Sequence, residues 1–190
     1  MPLAGHGLRP SPLRRWASRP QLKRDPLGGP HSLRTMRISY LTDHPEFILP
    51  LAEGRFEHFR DLLPDYTLEM HVRKLKAHMN RDALPIAWVA HSNTEVFGTA
   101  ALRPDDLEGR EDLTPWLGGV YVLPQFRRRG IGTALCGTVE RNATARGVHT
   151  LYLFTLDKQP WYGALGWAPF QPCTWRGQPG DIMVKALDAA

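Results

Sequence analysis

Apolar positions along this chain recur with two periods, and the switches between them outline an alternating order of strands and helices after Met36. Arg37–Leu41 reads as an opening strand. Asp43 and Pro45 are start signals for a helical turn. Pro50 predicts a break there, with a helix over about 51–62 whose buried stripe is Leu51, Phe56, Phe59 and Leu63. Residues 68–79 form a clearer amphipathic helix with Leu68, Val72, Leu75 and Met79 on one face. His71 and His78 of that helix read as surface residues. Residues 85–91 and 95–102 predict two strands around a Ser92-Asn93-Thr94 turn, and 103–115 a charged loop. An apolar run from Trp116 to Val122 predicts the central strand, and 131–141 a helix. Residues 150–155 form a further strand and a short helix follows; strands near 168–175 and 181–186 flank a Gly/Pro loop over 176–180. Mixed strands with helices on both faces of one sheet are the expected architecture.

Between the central strand and the helix stands Arg127-Arg128-Arg129-Gly130-Ile131-Gly132. The first N–H groups of a helix have no intrahelical acceptor, and the helix dipole adds positive charge there. Glycines let an anion approach the backbone closely. Strand, basic turn and helix start together predict a pyrophosphate site. No Gly-Lys-Ser/Thr follows, which excludes a P-loop. Position 135 is Leu135 where a dinucleotide fingerprint needs a third Gly or Ala.

What remains, Arg127-x-x-Gly130-x-Gly132, resembles the acetyl-coenzyme A signature of the GNAT superfamily of N-acetyltransferases. Residues 161–167, Trp-Tyr-Gly-Ala-Leu-Gly-Trp, are similar to that family's aromatic-Tyr-x-x-x-Gly-aromatic segment and fall in the family's order. The resemblance covers roughly residues 37–187. It implies an α/β fold with a mixed, mostly antiparallel central sheet, helices on both faces and a splayed central strand. It further implies acetyl-CoA as the acyl donor. Val120, Tyr121 and Val122 would pair with the pantetheine arm. Arg127, Arg128, Arg129, Gly130, Ile131, Gly132 and Thr133 would surround the pyrophosphate. Tyr162 is the candidate acid for the departing thiolate, since a phenol within hydrogen-bond reach of sulfur can protonate it.

A base is needed as well, because an aliphatic amine is mostly protonated at neutral pH. Many relatives place a Glu near the central strand, and residues 116–122 contain no carboxylate. The acidic cluster Asp105, Asp106, Glu108, Glu111 and Asp112 lies just upstream, with Asp112 the candidate. Trp116 is the candidate for an aromatic wall around the acceptor amine. An acidic mouth would favour a cationic acceptor and an open groove a peptide.

Composition changes this picture little. With 190 residues the chain suits one domain. Two cysteines far apart give no disulfide framework, and Cys136 reads as a small buried hydrophobe. No apolar run approaches the ~20 residues of a membrane span. The net charge of +5 is concentrated in residues 1–35, which hold seven Lys/Arg and one Asp of the chain's 24 and 19. The remaining 17 basic and 18 acidic residues nearly cancel. The leader carries prolines at 2, 10, 12, 20, 26 and 30 and reads as a disordered tail or an overextended start, with 36–190 the catalytic domain. None of the eight histidines has metal-ligand spacing. The expected protein is a cytoplasmic monomer or homodimer acting on the primary amine of a small molecule or peptide. Two other classes stand beside it: an inactive acyl-CoA sensor, which would not need Tyr162, and a nucleic-acid binder working through the leader. The leader has only Trp16 for base stacking, which disfavours the last.

Overall fold

The computed structural model describes residues 36–187. The leader expected over 1–35 lies outside the described residues. Seven strands form one sheet, in the order β1-β2-β3-β4-β5-β7-β6. They are β1 (Arg37–Tyr40), β2 (Ile86–His91), β3 (Val96–Arg103), β4 (Trp116–Val122), β5 (Thr150–Thr155), β6 (Ala168–Trp175) and β7 (Gln178–Ala186). The helices are α1 (Ile48–Phe59), α2 (Leu68–Ala77), α3 (Ile131–Thr144) and α4 (Gln159–Gly163). Every neighbouring pair is antiparallel except β4 with β5. No helix among the described residues is long and apolar enough to cross a membrane.

On one side of the sheet, α1 and α2 bury Leu51, Ala52 and Leu75 among Ala87, Val89, Ala101 and Tyr121. The helix α3 packs on β2, β3 and β4 through its own apolar stripe, Ile131, Leu135, Cys136, Val139 and Ala143. Burial of such stripes is the main stabilising contribution, at ~25 cal/mol per Å² of apolar surface.

Three local departures from the sequence reading have simple causes. The helix α1 begins at Ile48 and runs through Pro50. Pro50 sits in the first turn, where its missing N–H would have no partner anyway. The Gly/Pro stretch 176–180 is mostly strand, since Arg176 (φ 47°) and Gly177 (φ 73°) alone close the hairpin between Trp175 and Gln178. Two successive positive φ values match the right-handed twist of the flanking strands. The third departure is the buried face of α2, which includes His71 (3 % exposed), Leu75 and His78 (6 %). Both histidines turn inward because they meet a polar recess beneath the helix rather than oil.

These histidines make stability sensitive to acid. Burial, aided for His71 by Arg55 and Lys74 and for His78 by Arg103 and Lys74, lowers their pKa values to about 4 and about 3. An unfolded histidine titrates near 6.5, so on acidification the unfolded chain takes up protons first. Their contribution is complete above pH 6.5 and is lost as pH falls through the window down to 4 and 3. Between pH 7 and 5 we expect each to cost on the order of 1–2 kcal/mol. Urea unfolding at the two pH values checks this. The His71→Gln/His78→Gln double variant should show a flatter pH dependence than the parent, and equal slopes would contradict the account.

Candidate active site

The strands β4 and β5 meet at one register point, Trp116 opposite Tyr152, with the Tyr152 N–H donating to the Pro115 carbonyl at 3.1 Å. Beyond it they part. From Gly118 to Val122 the β5 side of β4 has no strand partner, while β3 pairs with the other side. A cleft with an open backbone edge therefore lies inside the sheet.

On the β3 side the ladder slips between Thr99 and Ala101, so that Gly119 and Val120 together oppose Ala100. Gly119 has φ 62°, which marks a bulge led by a left-handed glycine. The bulge re-aims β4 just where it leaves β5. The hydroxyl of Tyr121 donates to the Gly54 carbonyl at 2.7 Å, fixing β4 to α1.

The turn after β4 is shaped for an anion. Arg128 (φ 60°) and Gly130 (φ 76°) are both left-handed, a sparse region for an arginine. Among the described residues no side chain caps α3, and its first bond runs from the Ala134 N–H to the Gly130 carbonyl at 3.0 Å. The N–H groups from Gly130 to Thr133 precede that bond and lack intrahelical acceptors. Successive N–H groups in such a turn form a concave anion nest.

The three arginines divide. Arg128 and Arg129 are exposed beside the nest. Arg127 turns back, with its Nε donating to the Val122 carbonyl at 2.9 Å and its guanidinium 5.8 Å from the Tyr121 ring centre. It braces the turn, and its charge is partly spent on that carbonyl.

The short helix α4 closes over this turn. A Cβ built on Gly132 would lie 3.2–3.3 Å from the Trp161 ring and 3.8 Å from Val122 Cγ2, so β4, the turn and α4 converge on one point. Tyr162, 8 % exposed, packs edge-on to Trp161 with ring centres 4.7 Å apart. Burial, with a smaller contribution from Cys136, pushes its phenol above the ordinary value. The thiol of Cys136 is itself pushed up to about 12 by burial and so is no nucleophile at neutral pH. Glu140 staples the arrangement by accepting from the Trp167 indole N–H at 3.0 Å and from Lys185 Nζ at 2.8 Å.

Two expected residues stand elsewhere. Trp116 is fully buried among Leu107, Leu113 and Ile182, and its indole N–H donates to the Leu113 carbonyl at 2.5 Å. It packs as a core side chain. Asp112 is exposed and held by Arg110 through two N–H donors at 2.9 and 3.0 Å. That hydrogen bonding holds its carboxyl below the usual range, which makes it a poor proton acceptor.

Sequence reading missed a second group beside Gly119. A small recess there is lined by Arg55, His71, Lys74, His78, Thr99 and Arg103. It shares Arg55, His71 and Lys74 with an open groove of about 400 Å³ between α2 and the β6–β7 hairpin. The available signals were faint: His71 and His78 seven apart, and Arg103 ending an otherwise apolar strand three residues before Asp106.

A parted strand pair whose open edge leads to an uncapped, glycine-shaped helix start makes a cleft for an extended ligand that ends in a phosphate. The family profile described as the Acetyltransferase (GNAT) family matches residues 48–167, and the chain belongs to that family. It is therefore an acetyltransferase whose acyl donor is acetyl-CoA. Similar solved structures include aminoglycoside 6'-acetyltransferase type Ii, with 22 % identity, 80 % of this chain and 97 % of that chain covered, and a TM-score of 0.65. An aminoglycoside 6'-N-acetyltransferase complexed with coenzyme A shares 20 % identity over 80 % of this chain and 97 % of its own, with a TM-score of 0.63. The yncA protein of Salmonella typhimurium, solved with acetyl-CoA, shares 16 % over 82 % and 96 %, at 0.64. Among curated proteins no match is found.

Proposed function

We propose that this protein transfers acetyl from acetyl-CoA directly to the primary amine of a small molecule or peptide. The observation that carries the reading is the open β4 edge running straight into the uncapped start of α3. Val120, Tyr121 and Val122 offer backbone groups to an extended pantetheine arm, as an added strand would. The N–H groups of residues 130–133 take the pyrophosphate, and Arg128 and Arg129 add charge from outside. A backbone N–H of β4 polarises the thioester carbonyl.

Tyr162 then gives its proton to the departing thiolate. The phenol is protonated at neutral pH, as an acid must be, and burial keeps it so. Among groups facing the groove, His71 is neutral yet too weak a base to hold a proton, with its pKa near 4. The amine's proton leaves through water in the open groove, with the Glu108 carboxylate on its rim to receive it.

The direct test is calorimetric titration of acetyl-CoA into the protein, followed by thiol release with a panel of amines. Binding at micromolar concentration together with amine-dependent thiol release is expected. Binding without release for any amine would favour the acyl-CoA sensor. Absence of binding would remove the donor site.

A further inference from the structure

The recess beside Gly119 carries more positive charge than its carboxylates offset. Arg103 is 5 % exposed and pairs through one guanidinium nitrogen with Asp106. Its Nε is the one buried side-chain polar atom without a hydrogen-bond partner among the described residues. Arg55 donates to the Gly119 carbonyl at 3.2 Å and lies against Phe59, with no carboxylate in ion-pair range among the described residues. Lys74 is exposed overall, yet it faces the same cavity, and its own ion-pair partner is missing too among the described residues. Asp105 acts on Lys74 and Arg103 from a distance, and Glu108 and Arg176 stand on the groove's rim. His71 and His78 are neutral near pH 7 and cancel nothing.

Arg103 and Arg55 with one paired carboxylate between them, and Lys74 facing the same recess, leave positive charge unmatched, and buried charge is costly until it is matched. Crowding is visible in the groups themselves. Burial, followed by Arg55, draws the Arg103 guanidinium down to about 10, and burial, followed by Arg103 and Arg55, draws the Lys74 ammonium down to about 8. The recess, at about 10 Å³, has room for about one oxygen atom. It borders the bulge that aims β4 into the donor cleft.

We propose that the acceptor is a small amine that also carries an anionic group, a carboxylate or phosphate, which docks on Arg103, Arg55 and Lys74. This rests on the N-acetyltransferase reading, and it sets aside the cationic acceptor that an acidic mouth would have favoured. Of the acidic loop, Asp106 is consumed by Arg103 and Asp112 by Arg110. A polycationic amine would meet like charge at the recess.

Two measurements test the assignment. The first follows the ring signals of His71 and His78 by NMR while succinate or inorganic phosphate is added at constant ionic strength. Saturable shifts are expected with one or both anions, and they should be lost in Lys74→Glu, a substitution at an exposed position of α2. Arg103→Met is a poorer choice, because it strands Asp106. Unmoved signals would overturn the proposal whether or not acetyl-CoA binds. The second compares β-alanine, O-phosphoethanolamine and β-alaninamide as acceptors, with acetyl-CoA binding measured alongside. At least tenfold higher kcat/KM for one anionic amine over the amide is expected, with the preference falling tenfold or more in Lys74→Glu. Bound acetyl-CoA with no preference for an anionic amine would also overturn it. Shifts of His71 without any acetyl-CoA binding would instead sink the donor site and leave the anion site standing.

Discussion

Replacing Gly130 with valine is expected to abolish acetyl-CoA binding in a protein that still folds. The residue has φ 76°, where a side chain costs roughly 1–2 kcal/mol in backbone strain. No atom of the described residues lies within 4 Å of the position its Cβ would take. The strain is local, and the added carbons project into the space an approaching phosphate needs. Affinity should fall at least ~100-fold, equivalent to about 2.7 kcal/mol, with Gly130→Ala intermediate. Calorimetry beside a thermal melt separates the two effects. A folded valine variant with parent-like affinity would mean that the pyrophosphate does not sit on this turn. Gly132 is a less clean target, because its Cβ would press on Trp161 and disturb α4 as well.

The second large effect concerns Tyr162→Phe. The ring fills the same space between Trp161 and Trp167, so packing should survive. Only the proton donor is removed, and general acids contribute typically 10²–10⁴-fold. We expect kcat to fall on the order of 100-fold, with affinity for acetyl-CoA within a factor of about two. Unchanged turnover across the pH range would take Tyr162 out of the chemistry and leave it a packing residue. A sensor that binds acyl-CoA without turnover would show no difference between the two proteins in any assay of thiol release.

The strand, turn and helix start of the candidate donor site were legible in the sequence because they are local. Residues 116–133 are one strand, one turn and one helix start, and glycine spacing along a continuous stretch speaks directly to backbone geometry. The covering segment 161–167 was equally compact. The cationic recess was illegible because Arg55, Lys74, Arg103 and Gly119 come from four separate elements, and only folding brings their charges together. Asp112 was misread for a different reason. Its partner Arg110 is two residues away, and nothing in composition says which carboxylates are already engaged. Trp116 shows the reverse limit, since an aromatic opening a central strand serves a core as well as a pocket. In α2, periodicity identified the helix correctly but assigned histidines to the outside, because a polar side chain can face inward wherever the interior is itself polar. Pro50 was over-read for a geometric reason: its effect depends on which turn of the helix it occupies.

The parting of β4 from β5 has one more consequence. An unpaired strand edge on the outside of a sheet invites any extended chain, and proteins spend charges and bulges to repel such visitors. Here the unpaired edge faces inward and narrows to nothing at Trp116 and Tyr152. A single thread with hydrogen-bonding groups along its length fits such a notch, whereas a ribbon of two strands does not. In the proposed reading, this stretch of backbone is offered to one extended donor arm rather than to a second sheet.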